Sequence, residues 1–212
     1  MTEQLTDEDK NIRANEKAKK RKAARDKMLA NKTVEKGLLI VHTGKGKGKS
    51  TAAFGLVTRA IGNGMRVGVV QFVKGKWETG ERHVLEKFPK QVEIRTMGEG
   101  FTWDTQDRAR DIAAAEAAWA ASKEMIEASR GADPKYDMVL LDELNIVLRY
   151  DYLKLADIVD FFKTKPENLH VIVTGRNAKT GLIEIADLVT EMIQIKHPFR
   201  EQNVKAQKGI EF

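Results

Sequence analysis

The sequence contains no cysteine among its 212 residues. This absence excludes disulfide bonds, thiolate zinc sites, iron–sulfur clusters held by cysteine and any cysteine nucleophile. No run of apolar residues approaches the roughly 18 that a membrane-spanning helix requires, and the first residues, MTEQLTDEDK, form no apolar signal-peptide segment. We therefore expect a cytoplasmic protein that is not secreted and does not associate with membranes.

Positive charge is in modest excess, and much of it lies in the first 36 residues. The chain has 37 Lys and Arg against 31 Asp and Glu, and residues 1–36 hold 11 of these basic and 7 of these acidic side chains. Residues 17–27 (KAKKRKAARDK) consist almost entirely of good helix formers. We predict a basic, partly helical arm over residues 1–36 and one compact domain over residues 37–212. The arm is interpreted as a solvated helix, a nucleic-acid tail or a cover over an anionic ligand, and charge alone does not choose among them. Nucleic acid is the less favoured partner, because no aromatic residue lies among the basic ones.

Short apolar runs alternate with helix-length segments from residue 37 onward. Several runs are continuous in Val, Ile and Leu, which is typical of buried parallel strands. The alternation predicts an α/β fold of the P-loop NTPase type, with a mainly parallel sheet of about six strands and helices on both faces. The predicted strands are Gly37–Thr43, Arg66–Val73, Val92–Thr96, Tyr136–Asp142, His170–Thr174 and Leu188–Ile195, and the predicted helices are Lys49–Ile61, Thr79–Phe88, Thr105–Ser129, Leu153–Thr164 and Gly181–Ala186.

A glycine-rich loop, TGKGKGKST at residues 43–51, follows the first predicted strand. Glycines between a strand and a helix let backbone amides point at one anion, and the helix N-terminus adds positive potential. Lys49 would reach the phosphates and the Ser50 hydroxyl would ligate Mg²⁺. The loop departs from the usual G-x-x-x-x-G-K-[ST] pattern, because Thr43 stands where its first glycine is expected. The predicted ATP-binding residues are Gly44, Lys45, Gly46, Lys47, Gly48, Lys49, Ser50 and Thr51.

Other charged residues follow the later predicted strands. Asp142 and Glu143 end the run YDMVLLDE, where an acidic residue binds Mg²⁺ in phosphate-binding enzymes. An alternative role for both is to cap a helix over residues 144–150. Arg176 follows the strand HVIVT and is predicted to contact the triphosphate, since ligands bind beyond the carboxyl ends of parallel strands. Arg59 and Lys74 are weaker candidates of the same kind.

The loop is compatible with two kinds of ATP chemistry. Hydrolases and kinases direct a nucleophile at the γ-phosphorus and need a base or a group that positions water. Adenosyl transfer directs it at the ribose C5′ and expels the whole triphosphate, so Lys49 and Mg²⁺ would neutralise a leaving group. A P-loop ATPase or kinase with a basic nucleic-acid-binding arm is the alternative interpretation.

Seven segments of the sequence resemble the P-loop corrinoid adenosyltransferases, also called cob(I)yrinic acid a,c-diamide adenosyltransferases. The similarity runs from residue 37 to the C-terminus, and even the shortened loop resembles that of the family. Asn is common in the family where Lys45 stands, and Thr where Ser50 stands. The segments are Val41–Gly55 (VHTGKGKGKSTAAFG), Val67–Gly75 (VGVVQFVKG), Gly80–Glu86 (GERHVLE), Gly100–Gln106 (GFTWDTQ), Met138–Leu144 (MVLLDEL), Val171–Arg176 (VIVTGR) and Val204–Phe212 (VKAQKGIEF).

This resemblance implies transfer of the 5′-deoxyadenosyl group of ATP to Co(I) in a corrinoid such as cobyrinic acid a,c-diamide, cobinamide or cobalamin. It implies ATP bound in reverse, with C5′ towards the corrin, a homodimer, and an N-terminal segment that helps to cover the corrinoid. Phe101 and Trp103 would pack against the lower face of the corrin and displace its axial ligand. The catalytic assignments are therefore Lys49, Phe101 and Trp103, with Mg²⁺ at Ser50, Asp142 and Glu143 and a flavoprotein-type reductant as a partner.

Overall fold

The computed structural model describes residues 6–73, 80–98 and 107–211. The chain divides into two compact units, Met1–Glu35 and Lys36–Phe212. In the first unit, helix α1 (Asp7–Ala30) begins with a capping box in which the Thr6 side chain accepts a hydrogen bond from Asp9 N. None of its residues is buried within the described structure, so its own helix propensity and its cap stabilise it.

The second unit is built on a six-stranded sheet with the strand order β3-β2-β4-β5-β1-β6. Every pair of neighbouring strands is parallel, which confirms the predicted α/β class and sheet. The strands are β1 (Leu39–Thr43), β2 (Val67–Gln71), β3 (Val92–Thr96), β4 (Met138–Asp142), β5 (His170–Thr174) and β6 (Leu188–Glu191), and the helices are α2 (Lys49–Gly62), α3 (Gly80–Leu85), α4 (Arg108–Glu127), α5 (Leu144–Arg149), α6 (Leu155–Lys163), α7 (Thr180–Ile185) and α8 (Pro198–Glu201).

Two apolar cores lie on opposite faces of the sheet, because successive side chains of a strand point to opposite faces. On β1, Val41 belongs to the core with α4, α5 and α6, and Ile40 to the core with α2. Trp119 on α4 packs edge-on against Phe161 and Phe162, with ring centroids 5.3 and 5.7 Å away. Trp119 therefore belongs to the core on this face of the sheet. No helix in the described parts of the chain is both long and apolar enough to cross a membrane.

The register of the strands brings together the two segments predicted to bind phosphate and metal. His42 of β1 pairs with Thr174 of β5, and Gln71 of β2 pairs with Asp142 of β4. Since all strands run the same way, the loop after β1 and the acidic pair ending β4 meet at one edge of the sheet, although β5 lies between their strands.

Strand β6 differs from its prediction. The apolar run at Leu188–Ile195 is typical of a buried strand, yet β6 ends at Glu191 and all its residues are exposed. The reason is its place in the sheet, where it is one of the two edge strands and pairs with β1 alone. Leu188 is 46% and Ile193 75% exposed.

His170 links the beginning of β1 to β5. Leu38 N donates a hydrogen bond to His170 Nδ1 at 3.1 Å, so this nitrogen carries no proton in the fold. Burial lowers the pKa of His170 below its usual value, the neighbouring Lys165 lowers this pKa further, and Asp137 opposes both effects. The imidazole is therefore held neutral.

We expect the free energy of unfolding to fall as the pH decreases below about 6.5, the usual pKa of histidine. The unfolded chain binds a proton there that the folded chain does not, so the loss continues until the pH passes the lowered folded-state pKa. His170→Asn keeps an acceptor but cannot titrate, so it should show a smaller decline. Urea unfolding of both proteins between about pH 8 and about pH 5 measures this. Parallel declines would contradict the assignment.

Candidate functional site

The glycine-rich loop (residues 43–51) packs its backbone against the chain that follows β6. Gly44 and Gly48 have φ of 98° and 96°, in the left-handed region that favours glycine. A Cβ on Gly44 would lie 2.4 Å from the carbonyl oxygen of Met192, and one on Gly46 2.7 Å from the same oxygen. Gly46 N donates to this oxygen at 2.7 Å, and Met192 N donates to Thr43 O at 2.9 Å. The loop thus needs glycine at residues 44 and 46 for close approach.

Lys49 is the first residue of α2 and only 7% exposed. Its Nζ donates to the carbonyl oxygen of Gly46, within the same loop. Burial lowers the pKa of the Lys49 ammonium, and the carboxylate of Glu143 opposes this effect. The nearby cations of Arg176 and Lys47 lower the pKa further. A poorly solvated cation among other cations at a helix N-terminus attracts a polyanion strongly.

Asp142, at the end of β4, is fully buried and receives two hydroxyl hydrogen bonds. Ser50 Oγ donates to its Oδ1 at 2.7 Å, and Thr174 Oγ1 donates to the same atom at 2.8 Å. A carboxylate is stable in such a place only when polar partners compensate its lost hydration. The structure therefore joins two of the three predicted metal residues, Ser50 and Asp142, in direct contact.

Glu143 has φ of 66° and precedes α5. It occupies the N-cap position of this helix, but its side chain makes no capping hydrogen bond, so the alternative capping role does not hold for this carboxylate. Its backbone N donates to Thr174 Oγ1 at 2.9 Å. A Cβ on Gly175 would lie 3.0 Å from Glu143 Oε2, so the glycine leaves space for this side chain.

One pocket of about 410 Å³ connects most of the predicted site residues. Arg176, after β5, lines it together with the loop and Glu143. Lys45 is exposed and is not among the lining residues, and Phe101, Trp103 and Lys74 lie outside the described residues. Sequence reasoning did not single out Arg149 and Tyr150 at the end of α5, nor Glu81 and Glu211. The lining residues are Gly46, Lys47, Gly48, Lys49, Ser50, Thr51, Val73, Glu81, Glu143, Ile146, Arg149, Tyr150, Arg176, Ile210 and Glu211.

The missed residues left different signals in the sequence. Tyr150 is 38% exposed, stacks on Tyr152 with ring centroids 5.6 Å apart, and has the Arg149 guanidinium 5.5 Å from its ring centre. An Arg-Tyr pair shortly after the acidic strand end is a usable signal. Glu211 lies in the segment 204–212 that resembles the family, but nothing local in the sequence relates its carboxylate to the loop at residues 43–51.

Four cationic side chains and the Ser50 hydroxyl line the pocket, and Ser50 Oγ donates to the buried Asp142, which is not itself among the lining residues. Lys47, Lys49, Arg149 and Arg176 suit a polyphosphate, and the Ser50–Asp142 contact offers hard oxygen ligands. No group of three or more His, Cys, Asp or Glu side chains able to hold a metal ion occurs in the described residues. A metal ion here would take the rest of its ligands from substrate phosphate and water, as Mg²⁺ commonly does.

Comparison with known proteins identifies relatives of the chain over almost its whole length. The family described as "ATP:corrinoid adenosyltransferase BtuR/CobO/CobP" matches residues 35–212. The corrinoid adenosyltransferase of a Sinorhizobium species is 59% identical over 198 residues, which are 92% of this chain and 90% of the relative. Those of Pseudomonas aeruginosa and Escherichia coli K12 are 50% and 48% identical, over 96% and 88% of this chain and 98% and 91% of the relatives.

Proposed function

The chain belongs to the ATP:corrinoid adenosyltransferase family, and from this we propose that its pocket binds ATP by the triphosphate and presents C5′ to a corrinoid. The protein is an enzyme of this class. The observation that carries the proposal is that Lys49, Arg176 and Ser50 line one pocket in a chain that the family matches over residues 35–212. The Ser50 hydroxyl donates to the buried Asp142.

The reaction forms one bond and breaks one. The electron pair of Co(I) in the corrinoid substrate attacks C5′ of ATP and forms the cobalt–carbon bond. The bond between C5′ and the triphosphate oxygen breaks, and its electron pair leaves with inorganic triphosphate. Lys49 and Arg176 stabilise the charge that develops on this leaving group, since fixed cations in a poorly solvated site need no reorganisation. No protein nucleophile or base is required. Much of the rate enhancement therefore comes from holding the two substrates in line.

The donor set fits Mg²⁺. The Ser50 hydroxyl and the Asp142 carboxylate are hard oxygen ligands in direct contact, and the Glu143 carboxylate lines the same pocket. Bound there with ATP, the ion would supply positive charge to the triphosphate. We propose Ser50 and Asp142 as its protein ligands, with Glu143 beside them.

We propose three further properties from the family resemblance and the chemistry. The Co(II) of a free corrinoid must gain one electron and become Co(I) before it can attack C5′, so a flavoprotein-type reductant is a partner. The supply of ATP and of this reductant places the reaction in the cytoplasm. The protein acts as a homodimer, as the resemblance implies.

The products test the proposed function directly. The protein is incubated anaerobically with MgATP and a chemically reduced corrinoid, and the nucleotide products and the corrinoid spectrum are followed. We expect inorganic triphosphate and a light-sensitive cobalt–carbon product in equal amounts. ADP and phosphate beside unalkylated cobalt would instead identify an ATPase or kinase.

Phe101 and Trp103 lie outside the described residues, and their proposed role rests on the resemblance. Apolar aromatic side chains against the corrin would exclude water from the position of the displaced axial ligand. Loss of this ligand lowers the energy of the acceptor orbital of Co(II), so a weak reductant suffices. We expect Phe101→Ala and Trp103→Ala to lower adenosylation from Co(II) by on the order of tenfold more than adenosylation from chemically prepared Co(I). An equal loss in the two assays would refute ligand displacement.

A further inference from the structure

The C-terminal turn, residues 207–211, brings a carboxylate into the wall of the phosphate pocket. Glu211 N donates to Gln207 O at 2.9 Å, and Gly209 takes φ of 82° within this turn. The Glu211 carboxylate forms an ion pair with the ammonium of Lys47, in the middle of the glycine-rich loop. The Glu211 side chain is 23% and the Lys47 side chain 50% exposed. Both residues line the pocket.

A carboxylate at this position repels the polyphosphate that the pocket is proposed to bind. Lys47 is one of the four pocket cations, and a phosphate group and Glu211 compete for it. An ion pair this exposed contributes little to stability. A polyphosphate carries more charge than one carboxylate, so it can displace Glu211, and the carboxylate then repels the bound anion.

The turn also borders a second pocket of about 340 Å³. Ile210 and Glu211 line both pockets, and Gly209 lines the second one. A shift of the turn when Lys47 changes partner would therefore alter both pockets. The other lining residues of the second pocket are Phe54, Thr58, Gly80, Glu81, Val84 and Leu85.

We infer that Glu211 is a positioning residue that exchanges with the substrate's phosphates for Lys47 and thereby speeds the release of inorganic triphosphate. Triphosphate leaves a cationic pocket slowly unless something replaces its contacts. Glu211 supplies that replacement at Lys47 from within the chain, so it lowers the affinity for the product. The inference rests on the proposed function, because adenosyl transfer releases triphosphate, whereas an ATPase or a kinase forms ADP.

Glu211→Gln in the full-length chain tests this exchange. It keeps the shape of the side chain and removes its charge. At low ionic strength we expect the Kd for magnesium triphosphate to fall about threefold to tenfold, with a matching fall in its dissociation rate. In turnover, kcat and KM for ATP should both decrease. Added salt should narrow the difference, since the effect is electrostatic. Titration calorimetry and a chase of bound triphosphate measure these quantities.

Matched variants isolate the contact. Glu211→Asp should retain wild-type affinity, and Glu184→Gln, an identical change at an exposed residue of α7, should leave triphosphate binding unchanged. In a Lys47→Gln background, Glu211→Gln should have a clearly smaller effect, because the two changes act on one contact.

The outcomes separate this inference from the proposed function. Equal or weaker triphosphate binding by Glu211→Gln, beside a wild type that alkylates cobalt, overturns the inference alone. A wild type that binds no triphosphate and releases ADP overturns the proposed function first.

Discussion

Lys49→Ala is expected to lower kcat/KM for adenosyl transfer by about 10³-fold, because it removes a fixed cation from the proposed position of the leaving triphosphate. Lys49 is the least exposed of the pocket cations, and its ammonium already lies at the carbonyl oxygen of Gly46 inside the loop. A cation held in a poorly solvated site stabilises developing negative charge far more than one in water does.

The fold should survive this substitution. Burial lowers the pKa of Lys49, which means that the fold does not favour its charge. We therefore expect Lys49→Ala to unfold at about the wild-type denaturant concentration, within roughly 1 kcal/mol.

Triphosphate release and cobalt–carbon bond formation are measured in the same reaction. Lys163→Ala is the control, since Lys163 on α6 pairs only with the exposed Asp160 among the contacts described and should keep full activity. A Lys49→Ala enzyme within about tenfold of wild type would show that the leaving group is stabilised elsewhere.

The glycine-rich loop and the acidic strand end were predictable because each is encoded by neighbouring residues. A glycine turn after an apolar run and before a helix predicts an anion site wherever it occurs. The meeting of Ser50 with Asp142, 92 residues apart, follows from one general rule, that parallel strands align their carboxyl ends at one edge. This part of the site was therefore predictable from the sheet class, whereas Arg149, Tyr150, Glu81 and Glu211 were not identified.

Contacts that depend on strand order were not predictable. The apolar run at 188–195 indicates a buried strand, and only its place beside β1 at the sheet edge explains why β6 is exposed. Because β6 lies beside β1, Met192 lies against the loop, and its carbonyl oxygen accepts a hydrogen bond from Gly46 N. The contact between Glu211 and Lys47, which are 164 residues apart, likewise depends on the tertiary fold and is not encoded by neighbouring residues. Hydrophobic pattern carries no information about which strand lies next to which.

Asp142→Asn is expected to lower kcat for adenosyl transfer by about 10²-fold to 10³-fold and to raise the Mg²⁺ concentration needed for half-maximal rate. Asparagine keeps the size of the side chain and an oxygen that accepts from Ser50 and Thr174. It loses the negative charge that attracts a divalent cation, and its amide nitrogen would take the place of Oδ2, which accepts a hydrogen bond from Gln71 Nε2 at 3.5 Å. We therefore expect Asp142→Asn to lose activity that depends on the metal ion.

Asp137→Asn provides the control on the same strand segment. Asp137 immediately precedes β4, at the other end from Asp142, where its carboxylate accepts from Arg66 N at 2.7 Å. Its substitution should cost about 1 kcal/mol of stability and leave the Mg²⁺ dependence unchanged. The Mg²⁺ dependence of triphosphate release, measured for both variants, decides between a metal role and a structural role for Asp142. If Asp142→Asn reduces stability but keeps the wild-type Mg²⁺ requirement, the buried carboxylate serves only to tie Ser50 of α2 to Thr174 of β5.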